Sequence, residues 1–242
     1  MNIAEGAAII PLEIEGIILN STLVWDEHRA ILIDAGFYGH GTQIVEGMKR
    51  AGVAVERLSA VILTHQDIDH IGGVQDLMEL ADRPLVVYAH ALDQPFIEGT
   101  VPLLKRELPP QLQHMFDLPY HVKVNHTLND GDVLDFCGGV EVIFTPGHTP
   151  GHISLYLQTS RILIAGDALP SVNGELQTPT NQTTPDLPAA FNSLNKLLDY
   201  DIDQIVCYHG GLCTENVQEQ LRRIVEHSSG ETAFSNKEES EL

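Results

Sequence analysis

Thr64-His65-Gln66-Asp67-Ile68-Asp69-His70-Ile71-Gly72-Gly73 holds four potential metal donors, His65, Asp67, Asp69 and His70, within six residues. In an extended segment the side chains at 65, 67 and 69 point the same way, because strand side chains alternate with a period of two. Ile71, Val74, Leu77 and Met78 follow at helical spacing, so His70 falls where a helix begins. The dipole of that helix favours carboxylates at its start. Gly72 and Gly73 are poor helix formers. A close approach of their backbone to the site is the expectation they raise.

Outward from this stretch, four apolar runs end in a donor. Ala60–Leu63 leads to His65, Val142–Phe144 to His148, Ile162–Ala165 to Asp167, and Ile205–Tyr208 to His209. Sites in α/β folds gather in the loops beyond strand ends. Strands from distant parts of the chain can therefore bring these residues to one pocket.

The remaining pattern alternates strands and helices, which points to an α/β fold with helices covering sheet faces. Ala8–Leu12, Ile14–Leu19, Ser21–Trp25 and Ala30–Ile33 read as hairpin strands closed by Asp34-Ala35-Gly36. Thr42 reads as the N-cap of a helix whose apolar face is Ile44, Val45, Met48 and Ala51. Later helices carry Ala190, Leu194 and Leu197, and then Val217, Leu221 and Ile224. One domain spans 1–229, with an irregular helical insertion at about 91–120 that contains five prolines. Residues 230–242 read as an acidic, disordered tail.

Composition narrows the possible partners. The 242 residues include 34 acidic and 13 basic side chains, a formal net charge of −21. So acidic a chain repels nucleic-acid phosphates and anionic membranes, which leaves a small-molecule substrate. The three cysteines, Cys137, Cys207 and Cys213, form no C-x-x-C pair and suggest neither a disulfide framework nor a thiolate zinc site. No secretory leader and no membrane-spanning run is read, so a cytoplasmic location is expected. Nothing in the pattern speaks to oligomeric state.

The 65–70 segment resembles the H-x-H-x-D-H signature of the metallo-β-lactamase superfamily. Thr145-Pro146-Gly147-His148-Thr149-Pro150-Gly151-His152 is similar to its second motif. Ala165-Gly166-Asp167 and Tyr208-His209-Gly210 are similar to its third and fourth. The resemblance covers residues 8–225 and implies a four-layer αββα sandwich. It further implies two divalent metal ions, the first on His65, Asp67 and His148, the second on Asp69, His70 and His209, with Asp167 bridging them. A metal-bridging hydroxide would then attack the substrate, and Asp69 would orient that nucleophile or accept its proton as the catalytic carboxylate.

Asp67 departs from the pattern, because most members carry histidine there. Three carboxylates facing two divalent ions leave one net positive charge, where a histidine at 67 would leave two. The extra anion raises the pKa of bound water and hardens the first site. Zinc ranks first, with iron or manganese as alternatives; another alternative is that Asp67 does not ligate. His152 is expected to support rather than ligate. Asp34 is either a turn residue or a carboxylate that holds a ligand histidine, and Cys207 is a small core residue. Phe96, Leu103, Leu104, Leu112, Met115 and Phe116 either form a satellite core or line the pocket.

The resemblance implies a hydrolase acting on a small ester, lactone, thioester or phosphoester. One alternative is an iron-dependent, persulfide-dioxygenase-like oxidoreductase of the same fold, and another is a non-catalytic metal-binding domain. Glyoxalase II is disfavoured, since it needs a helical domain after the last motif. An acyl-homoserine-lactone lactonase is weakened because Pro170 stands where some of those enzymes carry tyrosine.

Overall fold

The computed structural model describes residues 1–105 and 107–226. The expected stretch 230–242 lies outside them. Seven strands form one sheet in chain order: β1 (Asn2–Ala4), β2 (Ala7–Ile14), β3 (Ile17–Trp25), β4 (Ala30–Ile33), β5 (Leu58–Ile62), β6 (Val86–His90) and β7 (His126–Leu128). Pairing is antiparallel from β1 to β4 and parallel from β4 to β7. The second sheet uses β8 (Val133–Leu134), β9 (Val140–Phe144), β10 (Ile153–Leu157), β11 (Ile162–Gly166), β14 (Gln204–Cys207) and β15 (Gly211–Cys213). Its order is β15-β14-β11-β10-β9-β8. A small hairpin, β12 (Ser171–Val172) with β13 (Glu175–Leu176), interrupts the loop after β11.

The sequence builds four layers because both faces of each central strand are apolar. In β4, Ile31 and Ile33 face the second sheet, while Ala30 and Leu32 face the helices. In β11, Ile162 and Ile164 enter the same inter-sheet core, while Leu163 and Ala165 turn to the opposite helical layer. The first sheet is covered by α1 (Gly41–Arg50), α2 (Ile68–Ile71) and α3 (Val74–Leu80). The second is covered by α5 (Leu187–Leu197) and a helix, α6, at 217–226. The result is the expected αββα sandwich. No helix of the described residues is long and apolar enough to cross a membrane.

Local chemistry moved some boundaries. Ile14–Leu19 and Ser21–Trp25 do not form separate strands. The chain reverses at Glu15-Gly16, whose φ angles of 49° and 78° make a two-residue hairpin turn, and β3 then runs unbroken. Thr42 lies inside α1 rather than capping it. Gly39 and Gly41 instead donate their N–H groups to Asp76 Oδ2 at 3.1 and 2.8 Å, so a carboxylate from α3 closes the helix start. Within 91–120 the chain forms α4 (Gln94–Ile97) and a 3₁₀ segment, Pro110–Asp117.

Gly72 and Gly73 break the expected single helix into α2 and α3. The close approach they permit is to the loop after β4, not to the metal donors. A Cβ on Gly73 would lie 2.1 Å from the carbonyl oxygen of Ala35, and one on Gly72 would lie 2.9 Å from the amide of Tyr38. Gly73→Ala is therefore expected to cost about 3 kcal/mol through overpacking, read as a lowered midpoint in urea unfolding; an unchanged midpoint would refute this contact.

Candidate metal centre

Four strand ends converge at one edge of the sandwich. His65 follows β5, and Asp67 precedes α2 with extended geometry (φ −65°, ψ 143°). Asp69 and His70 occupy the first turn of α2. His148 lies in the loop after β9, Asp167 directly follows β11, and His209 follows β14 by two residues. The structure thus brings all seven residues picked from the sequence into one cleft.

They form two sets. His65 Nε2 and His148 Nε2 lie 3.5 and 3.1 Å from Asp67 Oδ2. His209 Nε2 and His70 Nε2 lie 3.3 and 3.9 Å from Asp69 Oδ2. Asp167 reaches both sets, with Oδ2 3.2 Å from His148 Nε2 and 3.3 Å from His209 Nε2, and Oδ1 3.3 Å from His70 Nε2. Within each set the donor atoms lie within 4.8 Å of one another. His65 Nε2, His70 Nε2, Asp67 Oδ1 and Asp167 Oδ1 are buried without a hydrogen-bond partner. Buried polar atoms are normally satisfied. A cluster of unsatisfied imidazole and carboxylate atoms aimed into one volume fits divalent cations of the borderline kind.

Surrounding groups fix which imidazole nitrogen faces inward. Asp34 sits in a left-handed turn (φ 57°) and accepts from Thr64 N at 2.9 Å and Thr64 Oγ1 at 2.8 Å. Its Oδ2 is also 2.9 Å from His70 Nδ1. Having donated to Asp34, the Thr64 hydroxyl accepts from His65 Nδ1 at 3.0 Å. One carboxylate thereby holds Nδ1 of both histidines, His70 directly and His65 through Thr64, and turns their Nε2 atoms inward. Of the two roles open to Asp34, the structure combines both: it makes the turn and holds a site histidine.

His152 is fully buried and does not face the two sets with a free nitrogen. Asp167 N–H donates to His152 Nε2 at 3.0 Å, and His152 Nδ1 contacts Thr145 Oγ1 at 2.9 Å. Burial pushes its pKa down to about 3, so it stays neutral and anchors the backbone of Asp167. Gly166 (φ 55°) allows this, since a Cβ there would come within 2.7 Å of His152 Nε2. Cys207 is buried in the outer core as expected.

Sequence reasoning missed Asp93, Lys105 and Tyr208. Asp93 is fully buried. It accepts from Gln66 N (3.0 Å), Gln66 Nε2 (3.2 Å), Thr149 Oγ1 (2.7 Å) and Gly151 N (2.8 Å), clamping the first motif to the second. Lys105 Nζ lies 2.7 Å from Asp67 Oδ2 and 2.5 Å from His148 Nε2. Tyr208 stacks on His70, ring centres 3.8 Å apart, and its hydroxyl donates to the carbonyl of Asp69 at 2.5 Å. Only Tyr208 had a signal, its place beside His209 in the fourth motif. Leu112 and Phe116 line the cleft while also packing on the core under the insertion. Leu103 and Met115 belong to that core, Phe96 packs against it, and Leu104 is exposed.

The groups set one another's protonation. Burial, together with the nearby charge of His70, pushes His65 well below the usual imidazole range. Burial works the same way on His70, but Asp34, Asp167 and Asp69 outweigh it and hold His70 well above that range. His209 is raised to about 10, against burial, by Asp167 and Asp69. Burial also opposes ionisation of Asp67 and Asp167. His65, His148 and Lys105 overcome it for Asp67, and His209, His70 and His148 do so for Asp167; both carboxyls lie well below the usual range.

Fold and donor sets together define a metal-dependent hydrolase. The chain belongs to the metallo-beta-lactamase superfamily, whose sequence profile it matches over residues 16–209. It is 33% identical over 213 residues to the probable metallo-hydrolase YflN of Bacillus subtilis, covering 76% of each chain. Among solved structures it superposes on a metallo-beta-lactamase family protein of Thermus thermophilus with a TM-score of 0.72 at 20% identity, over 94% of this chain and 80% of that one. It also resembles TTHA1623, solved in a di-iron-bound form, with a TM-score of 0.63 at 27% identity over 84% of this chain and 93% of that one.

Two outcomes follow from the geometry. Asp93→Ala leaves the Gln66 and Gly151 amides and the Thr149 hydroxyl without their acceptor, so it is expected to lose about 3 kcal/mol in chemical unfolding; a loss below about 0.5 kcal/mol, typical of a surface change, would contradict the clamp. His70 and His209 hold protons that a divalent ion must displace. Raising the pH removes those protons, so metal uptake at pH 7 is expected to release protons and to tighten as pH rises. Calorimetry in buffers of different ionisation enthalpy reads that release directly, and zero release would contradict it.

Proposed function

We propose that this chain is a dinuclear hydrolase, with His65, Asp67 and His148 holding one divalent ion, Asp69, His70 and His209 the other, and Asp167 bridging. The observation that carries this reading is the pair of donor sets, both reached by Asp167, with His65 Nε2, His70 Nε2, Asp67 Oδ1 and Asp167 Oδ1 left without hydrogen bonds. Bound there, the two ions supply Lewis acidity and a hydroxide nucleophile at neutral pH.

The chain's own residues do the rest. Asp69 is partly exposed on the cleft wall and accepts from His209. It is placed to orient the attacking water and to take its proton. Asp34 and Thr64 keep His65 and His70 in one tautomer, so no donor reorients during turnover. Ile17, Leu19, Phe37, Leu112 and Phe116 give the cleft of about 340 Å³ an apolar wall, with Gln182 and Thr183 as polar contacts. Such a wall suits a small ester, lactone, thioester or phosphoester with an apolar arm. Zinc is the first choice of metal. Asp67 adds an oxygen donor that also suits iron or manganese, and the di-iron-bound structural neighbour keeps iron in view.

Asp69→Ala and His148→Ala are expected to lower turnover by at least about 100-fold and to cost at least one bound ion with the fold kept. Metal analysis, circular dichroism and a screen of lactones, thioesters and phosphodiesters with zinc, manganese and iron read these outcomes. Full metal content in both variants would refute the ligand assignment. One iron per chain, with oxygen uptake on a persulfide, would replace hydrolysis by the oxidative reaction.

A further inference from the structure

Lys105 has no part in the chemistry described above. It comes from the insertion, has a side chain only 26% exposed, and points its ammonium into the first donor set. Its two partners there are the ones an ion would need. In its neutral Nδ1–H form His148 has one lone pair on Nε2, which can accept from Lys105 or bind a cation, not both. Asp67 Oδ2 is likewise held at 2.7 Å. Histidine at 67 would offer the ammonium no anion, so the departure at Asp67 and the placement of Lys105 are two halves of one arrangement.

Among the described residues the second set has no such guest, and the ion pairs of Asp69 and Asp167 are to histidines. Lys105 is also held at its root: Leu104 N donates to Gln66 Oε1 at 2.9 Å. Gln66 is itself fixed by Asp93. The ammonium is thus tethered to the motif it competes in.

We propose that Lys105 is an internal competitor for the first metal position, so that an ion enters His65–Asp67–His148 only by displacing the ammonium. The two sites then differ in affinity: the Asp69–His70–His209 site fills first, and the first-motif site fills at higher metal concentration. This rests on the metal-site reading above.

The test is a zinc titration by calorimetry of metal-stripped wild type, Lys105→Met, and Lys123→Met. Lys123 is an exposed lysine outside the cleft, and its substitution makes the same change in net charge. Wild type is expected to take one ion tightly and a second at least about tenfold more weakly. Lys105→Met is expected to tighten the weaker step by about tenfold or more and leave the tighter step within about threefold. Lys123→Met is expected to behave as wild type. If the weaker step is unchanged in Lys105→Met, or tightens equally in Lys123→Met, the competitor role is overturned while the two-metal reading stands. If no protein binds zinc, both are overturned. Should Lys105→Met fail to fold, reductive methylation of wild type decides. Zinc loading is expected to expose Lys105 to faster methylation, read by mass spectrometry of its peptide, and an unchanged rate overturns the proposal.

Discussion

Three carboxylates, Asp67, Asp69 and Asp167, are held in one largely buried cleft, and such an arrangement is stable only if positive charge is held with them. Much of the local architecture serves that constraint. His209 and His70 stay charged beside Asp167 and Asp69, and Lys105 pairs with Asp67. The carboxylates sit on a helix start and on strand-end loops, where backbone geometry fixes their direction. The imidazoles are turned by groups one layer further out. Asp34 and Thr64 serve His70 and His65, while His152 holds the amide of Asp167. Because these outer contacts are buried, the donors are set in place by folding and not by the ligand they await.

That order explains what the sequence could and could not reveal. A short apolar run is a local property, so strands such as Ala30–Ile33 and Ile162–Ala165 were legible from the residues themselves. The donors were legible because they cluster in short motifs at strand ends. Groups that act across long separations left no trace. Asp93 contacts Thr149 and Gly151, 56 and 58 positions away, and its neighbourhood shows only a proline-marked helix start. Lys105 lies in a stretch with no period at all.

The errors have the same origin. Thr42 has the chemistry of a cap, but Asp76 arrives from another helix and takes the role. Gly72 and Gly73 correctly signalled a tight contact, yet only the fold could name its partner, the loop at Ala35–Tyr38. The hairpin at Glu15-Gly16 was passed over because Ile14 and Ile17–Leu19, apolar on either side of it, read as one run.

One link between the sheets has a consequence for how the protein can change over generations. Leu19 bridges His209, and Asn20 donates both its backbone and side-chain N–H groups to the carbonyl of Tyr208. The wall of the cleft formed by Ile17 and Leu19 is therefore stitched to a donor residue, and drift there would disturb the site itself. The opposite wall is formed by Lys105, Leu112 and Phe116, and Leu104 and Lys105 meet the motif at Gln66 and Asp67. Change on either side therefore reaches the donors, through His209 on the β3 side and through Asp67 and His148 on the other.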